Sequence, residues 1–457
     1  MNLSLALLIA YSALMVGVGV WIGRRARTGE FFVAGRDLSP ALIFSTVLAA
    51  NIGAGTTVNA TAIGYTHGLS SWWWDGSAAL GTLALALWVG PRIWAEAKQH
   101  GDLTTGDFLE RHYGRAMRGI VAVVIWVTTW NVLAAQLLGM AAVLRIVGDV
   151  PPAVGATAGA VVVFVYFAVG GLLSSASVNR IQLIVILAGF AVAAPLAVSA
   201  AGGWETVAAR PMKPLPEPGI WRFVVMLVPA FIVSPGLLQK TFGARDAAAV
   251  RTGLLWAGGV MLIFACAPPL LGISAATLHP GLESADLALP AVLSESLPPA
   301  VGIFALAAVF SAEIGTADAV MFMLSTSASR DLYKSFVNPR ASDDSVLLVA
   351  RVAAAIGALA ALVLALWFDS ILQALGAFYS VLSVVMFVPV VAGLWLSRAP
   401  RAAGLASVVG GLAALAFVQI ATANRGYGLV TPTLAGILAS AVAFALAHTT
   451  VLRRRPS

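Results

Sequence analysis

The strongest constraint in this sequence is a stretch of about twenty mostly apolar residues that keeps returning, the length an α-helix needs to cross a bilayer. Such stretches fall near residues 3–22, 40–66, 72–91, 117–144, 152–170, 174–200, 220–238, 252–276, 299–326, 346–367, 371–396, 402–421 and 429–450. They predict an all-α integral membrane protein with about 13 transmembrane helices. Only 10% of the 457 residues are charged, against roughly a quarter in soluble domains, so the outer surface has to face lipid. The first stretch, Leu3 to Ile22, is too long for the apolar core of a cleaved leader and lacks a preceding basic segment. It is therefore expected to remain as a span.

The formal charge of +7 invites a nucleic-acid partner, but its placement argues against one. With the N-terminus outside, the inner segments hold 22 of the 27 basic residues, leaving Arg145, Arg210, Lys213, Arg222 and Arg425 outside. That asymmetry predicts an N-out/C-in, multi-pass protein of the cell inner (plasma) membrane. The partners expected are the lipid bilayer and a small-molecule solute, with no nucleic acid and with function as a monomer. The single cysteine, Cys266, lies in an apolar stretch and is expected to be a buried, inert thiol. The five histidines form no HExxH pair, and P-loop, GxSxG and GxGxxG motifs are absent, so the chain is not expected to be an enzyme.

Two spans are interrupted. The second contains Asn51-Ile52-Gly53-Ala54-Gly55-Thr56-Thr57, and the seventh contains Pro229 and then Ser234-Pro235-Gly236. Lipid offers no partners to freed backbone groups, so a broken helix is tolerated only where it lines a cavity. Spans two and seven lie an odd number of crossings apart and so run in opposite directions. This is the pattern of an inverted repeat built from spans 2–6 and 7–11, with a midplane site between the breaks. The expected organisation is 1–39 (peripheral first helix and linker), 40–200 (first five-helix repeat), 201–217 (loop), 218–396 (second repeat) and 397–457 (two peripheral helices and a basic tail).

Six short motifs then resemble those of the sodium/solute symporters, whose members have the LeuT-like five-plus-five fold. They are residues 30–36 (EFFVAGR), Ala49-Ala50-Asn51-Ile52 leading to Gly64-Tyr65-Thr66-His67-Gly68-Leu69, and Thr105 to Gly114. Gly170-Gly171-Leu172 through Gln182, Gln239-Lys240, and Ser325 to Lys334 complete the set. The resemblance implies a secondary active transporter, with Na+ as the implied cofactor, working by alternating access on an amino acid, carboxylate, sugar or vitamin.

The resemblance further implies a sodium site with backbone carbonyls from Ala49, Ile52 and Ala312 and a hydroxyl from Thr316. Gly315 departs from the family, which usually has a hydroxyl there, and Asn179 stands where members with an extra sodium site carry an acid. Asp318, two residues beyond Thr316, is expected to replace that lost charge and oxygen, or else to pair with Arg180. Glu313 shares a helix face with Thr316; as a buried carboxylate it makes a proton the alternative coupling ion. The solute is expected near Asn51, Thr56, Ser234, Gln136 and Tyr379. Asp75 follows Trp72-Trp73-Trp74, so it either faces the pocket or is solvated at the outer mouth. Gly236 occupies the place of a gating tyrosine in sugar-transporting relatives. A channel lacks support because the polar residues cluster at two breaks, and a sensor lacks an output domain. Glu313 and Asp318 stand about 140° apart around a helix and do not converge as catalytic groups.

Overall fold

The computed structural model describes residues 36–169, 172–396 and 400–453, with isolated positions between 5 and 17. Most of the expected first span, residues 30–35 of the first motif, Gly170-Gly171 and the end of the basic tail lie outside the described residues. Helices dominate, and the only strand-like pairings among the described residues are two isolated bridges, Leu38 with Ala244 and Tyr427 with Val430.

Ten described stretches are long and apolar enough to cross a membrane, and Pro40–Asn51 and Pro152–Ala168 are shorter apolar helices. The stretch Gly55–His100 has 46 residues; at about 1.5 Å per residue this far exceeds a bilayer's thickness. Gly68, at φ 65, breaks it between Ala60–His67 and Trp72–Ala84. Helix starts follow local chemistry. Ser39 accepts from the Leu42 N–H ahead of Pro40, and Thr104 and Asp107 form a reciprocal capping box at Thr105–Tyr113. Asp246 accepts from the Ala249 N–H at the start of Ala247–Phe264.

Pro299–Thr326 is the central helix, buried along nearly its whole length. It packs on Leu172–Ala200, Arg115–Gly148, Asp343–Ala365 and Pro40–Asn51. A helix surrounded in this way carries its polar residues inward, and Ser311, Glu313, Thr316 and Asp318 are all buried. The Tyr11 hydroxyl, from the first expected span, hydrogen-bonds Ser311. At the periphery, Arg401–Ala421 and Pro432–Arg453 pack against each other and turn Phe417, Ile420, Leu438 and Leu446 outward, as a lipid-facing surface requires. Cys266 is also exposed, in the turn between Ala247–Phe264 and Ala267–Leu278. An apolar surface is favourable in lipid, so the apolar context there did not mean burial in protein.

Pro40–Asn51 stops where Ile52 turns extended, at φ -93 and ψ 104. The chain then re-enters helix through a wide turn in which the Asn59 N–H donates to the Ala54 carbonyl at 2.8 Å. Trp221–Val233 stops at Ser234, at ψ 119, and helix resumes at Pro235, which has no N–H to continue the earlier ladder.

On the arginine-rich face, two of the sequence motifs interlock. Asp331 accepts from the Thr104 hydroxyl at 2.6 Å and from Arg118 at 2.8 Å. Arg118 also meets Asp107 and Glu110, each at 2.8 Å. Nearby, Arg111 bridges Glu96 and Asp102, both at 2.6 Å. Burial pushes the Asp102 carboxyl above the usual range, with the Arg111 guanidinium pulling the other way.

Candidate ion and solute site

The break after Asn51 frees carbonyl oxygens from helical bonding, and the central helix places a hydroxyl among them. Thr316 Oγ1 lies 2.9 Å from the Ile52 carbonyl, 3.2 Å from that of Ala50 and 3.4 Å from that of Ala49. One hydroxyl proton cannot serve three carbonyls, so the cluster has lone pairs to spare, the property of a hard-cation site. Gly53 permits this approach: a Cβ there would lie 2.4 Å from Thr316 Oγ1 and 2.6 Å from Gln136 Oε1. Ala312 is one helical turn before Thr316. A Cβ at Gly315 would meet Gln182 Oε1 at 3.2 Å, the Ala49 carbonyl at 3.5 Å and Asn179 Oδ1 at 3.7 Å. Oxygens therefore converge on the position where the expected hydroxyl is missing.

The two acids of the central helix diverge. Glu313 is fully buried and faces the Ala54 N–H and the Thr57 hydroxyl. Both donors complete their bonds elsewhere: Ala54 N–H on Gln136 Oε1 at 2.9 Å, Thr57 Oγ1 on the Gly53 carbonyl at 2.8 Å. Neither carboxylate oxygen of Glu313 attains a full hydrogen bond among the described residues. Room for it exists because position 139 is glycine, where a Cβ would lie 2.7 Å from Glu313 Oε1. Asp318 is two residues past Thr316, about 200° around the helix, and its charge acts on Lys240 and Tyr166. Arg180, the partner considered for it, is exposed. Lys240 is 5% exposed, and its Nζ donates to the Thr46 carbonyl at 2.8 Å.

Beside the break is a cavity of about 20 Å³ lined by Asn51, Thr56, Trp74, Gln136, Phe231 and Tyr379 among others, room for about one water. A neighbouring cavity of about 60 Å³ shares Asn51 and Tyr379 and adds Ser234, Gly236 and Lys240. A vestibule of about 600 Å³ lies next to Phe223 and Met226, with Asn59, Arg222, Asp286 and Gln373 in its wall. Burial raises the Asp286 carboxyl above the usual range, opposed by the Ile371 N–H that donates to it at 3.2 Å.

Five of the six expected solute residues thus line the two central cavities. Three of them have partners within the protein. The Thr56 hydroxyl accepts from the Gly53 N–H at 2.9 Å, and Gln136 spans from the Ala54 N–H to the Val132 carbonyl at 3.3 Å. Asn51 Nδ2 donates to Thr82 Oγ1 at 3.4 Å. Asp75 is 1% exposed, so it is not solvated at a mouth; three tryptophans before it mark tertiary packing here as well as an interface. Both its oxygens lack a partner among the described residues. Trp126 and Trp130 meet edge to face, with ring centroids 4.9 Å apart. Sequence reasoning noted Lys240 and Gln182 only as motif residues and gave neither a place in the site; burial of Lys240 and the approach of Gln182 to Gly315 appear only in the packing.

Residues 31–411 match the sodium:solute symporter family. The chain is 25% identical over 412 residues to the sodium/glucose cotransporter of Vibrio parahaemolyticus, covering 80% of this chain and 75% of that protein. It is 26% identical to the sodium/pantothenate symporter of Escherichia coli, covering 96% and 94%. A solved structure of a substrate-bound, outward-open Na+-coupled sialic acid symporter superposes with a TM-score of 0.83 at 16% identity, covering 100% of this chain and 98% of that one. A likeness at that identity speaks to fold alone, whereas the family match spans most of the chain. This protein is a multi-pass membrane transporter of the sodium:solute symporter family.

Proposed function

We propose that the protein couples sodium entry to uptake of a small polar organic solute across the cell inner membrane by alternating access. It would sit N-out/C-in with about 13 spans, the two interrupted helices belonging to inverted five-helix repeats, and work as a monomer. The observation that carries this is the convergence of the Thr316 hydroxyl on the Ala49, Ala50 and Ile52 carbonyls at the first break. In this reading sodium takes the Ala49, Ile52 and Ala312 carbonyls and Thr316, with Asn179 and Gln182 around the bare Gly315. Asp318 tunes the charge of the region through Lys240. Solute occupies the space between Asn51, Thr56, Gln136, Ser234 and Tyr379, with Asp75 behind the aromatic wall. The vestibule is the outer approach. Sodium bound at the break favours the solute-binding arrangement, and linkage makes the preference mutual.

The test is uptake into proteoliposomes of labelled amino acids, sugars, amines and carboxylates, with sodium and proton gradients imposed separately. Uptake driven by sodium at fixed pH is expected. Uptake driven by a proton gradient without sodium would replace this reading with proton coupling through Glu313 and Asp318.

A further inference from the structure

We infer that the solute is an organic cation, held by Asp75 and by the aromatic wall of Trp74, Phe231 and Tyr379. This rests on the transport reading above and names the class of solute for the same site.

Asp75 stands on Trp72–Ala84, and helical spacing places it within about 20° of Thr82 and 60° of Ala78. Thr82 accepts from Asn51, and Ala78 lines the central cavity, so this face looks onto the break. The charge of Asp75 acts on Tyr379. Around the cavity the rings form one connected wall: Trp74 to Tyr379 at 6.2 Å, Phe231 to Tyr379 at 5.6 Å and Trp74 to Phe223 at 5.5 Å. Ring faces attract a desolvated ammonium. Both Asp75 oxygens are buried and unbonded among the described residues, and a carboxylate can only accept. A neutral hydroxyl would supply a donor but leave a buried charge uncompensated, whereas an ammonium supplies both.

The experiment measures thermal unfolding and tryptophan fluorescence of the purified full chain in nanodiscs. Tetramethylammonium, ethylammonium and ethanolammonium are titrated against tert-butanol, propanol, ethylene glycol and acetate, with and without sodium. In sodium, at least one cation is expected to stabilise the protein while its neutral counterpart does not. Asp75→Asn should weaken that cation at least about thirtyfold, the usual cost of removing one partner of a buried charge pair. Asp75→Glu should retain binding, and sodium's own stabilisation of Asp75→Asn certifies that the variant is folded. If sodium stabilises the wild type and no cation binds, the solute class is overturned while the transport reading stands. An Asp75→Asn variant that binds the cation as well as wild type overturns it equally. If sodium itself has no effect on the wild type, the transport reading falls and this inference falls with it.

Discussion

The niche that holds Glu313 allows one perturbation to be worked through. An alanine at position 139 puts its Cβ 2.7 Å from Glu313 Oε1 and 2.9 Å from both Cδ and Oε2, at least half an ångström inside ordinary contact distance. A carboxyl at the end of a flexible side chain would normally swing aside. Here it is fully buried, and its far side faces Ala54 and Thr57. Displacement therefore drives it onto the stretch that follows the ion-site carbonyls. Overpacking of this kind costs about 1–3 kcal/mol. If that strain falls on the sodium-bound arrangement, half-saturating sodium rises about 5- to 140-fold in Gly139→Ala. Sodium titration of the thermal unfolding midpoint, repeated as sodium-dependent uptake, reads this out. Glu313→Asp withdraws the carboxyl by one methylene, so adding it to Gly139→Ala should recover part of the loss, with a coupling of about 0.5–3 kcal/mol. Strictly additive effects, or a Gly139→Ala protein with wild-type sodium dependence, would refute the reasoning.

Other outcomes follow from the same geometry. Gly53→Ala, whose Cβ would collide with Thr316 Oγ1 and Gln136 Oε1, should abolish sodium-dependent uptake while the protein still inserts and purifies. Thr316→Val removes the hydroxyl shared among the carbonyls and should raise half-saturating sodium about 10- to 100-fold in uptake assays. Gly315→Ser restores an oxygen where those of Ala49, Asn179 and Gln182 already converge. It should lower half-saturating sodium by about tenfold, and a rise would show that the glycine is needed for packing. Arg118→Ala leaves the buried Asp331 without its guanidinium; a loss of about 3–5 kcal/mol in stability is expected, read as a lower unfolding midpoint.

Much of the architecture was legible in the sequence because lipid imposes a length and a polarity on every crossing helix. The breaks at Gly53 and Ser234 were legible for the same reason, since glycine and proline beside polar residues inside an apolar span free backbone groups that lipid cannot satisfy. Side-chain partners were harder to read. Asp318 and Arg180 are compatible on charge alone, but only packing shows that Arg180 is exposed while Lys240, from another helix of the same repeat, lies in the carboxylate's field. Asp75 followed a tryptophan run that commonly marks an interface, and its burial depends on helices distant in sequence. Cys266 was misjudged because hydropathy does not distinguish a protein interior from a hydrocarbon exterior.

The bond from Lys240 Nζ to the Thr46 carbonyl joins Pro235–Phe242 to Pro40–Asn51, the two half-helices on the arginine-rich side of the breaks. Their opposite halves have separate anchorages: Ala60–His67 lies on Ala267–Leu278, and Trp221–Val233 on Trp72–Ala84 and Ile371–Trp395. The two ends of the permeation route are therefore hinged differently. On the arginine-rich side one bond ties the two half-helices together, whereas on the vestibule side each packs on its own neighbours, so a crosslink that pins one of the tied halves should immobilise both.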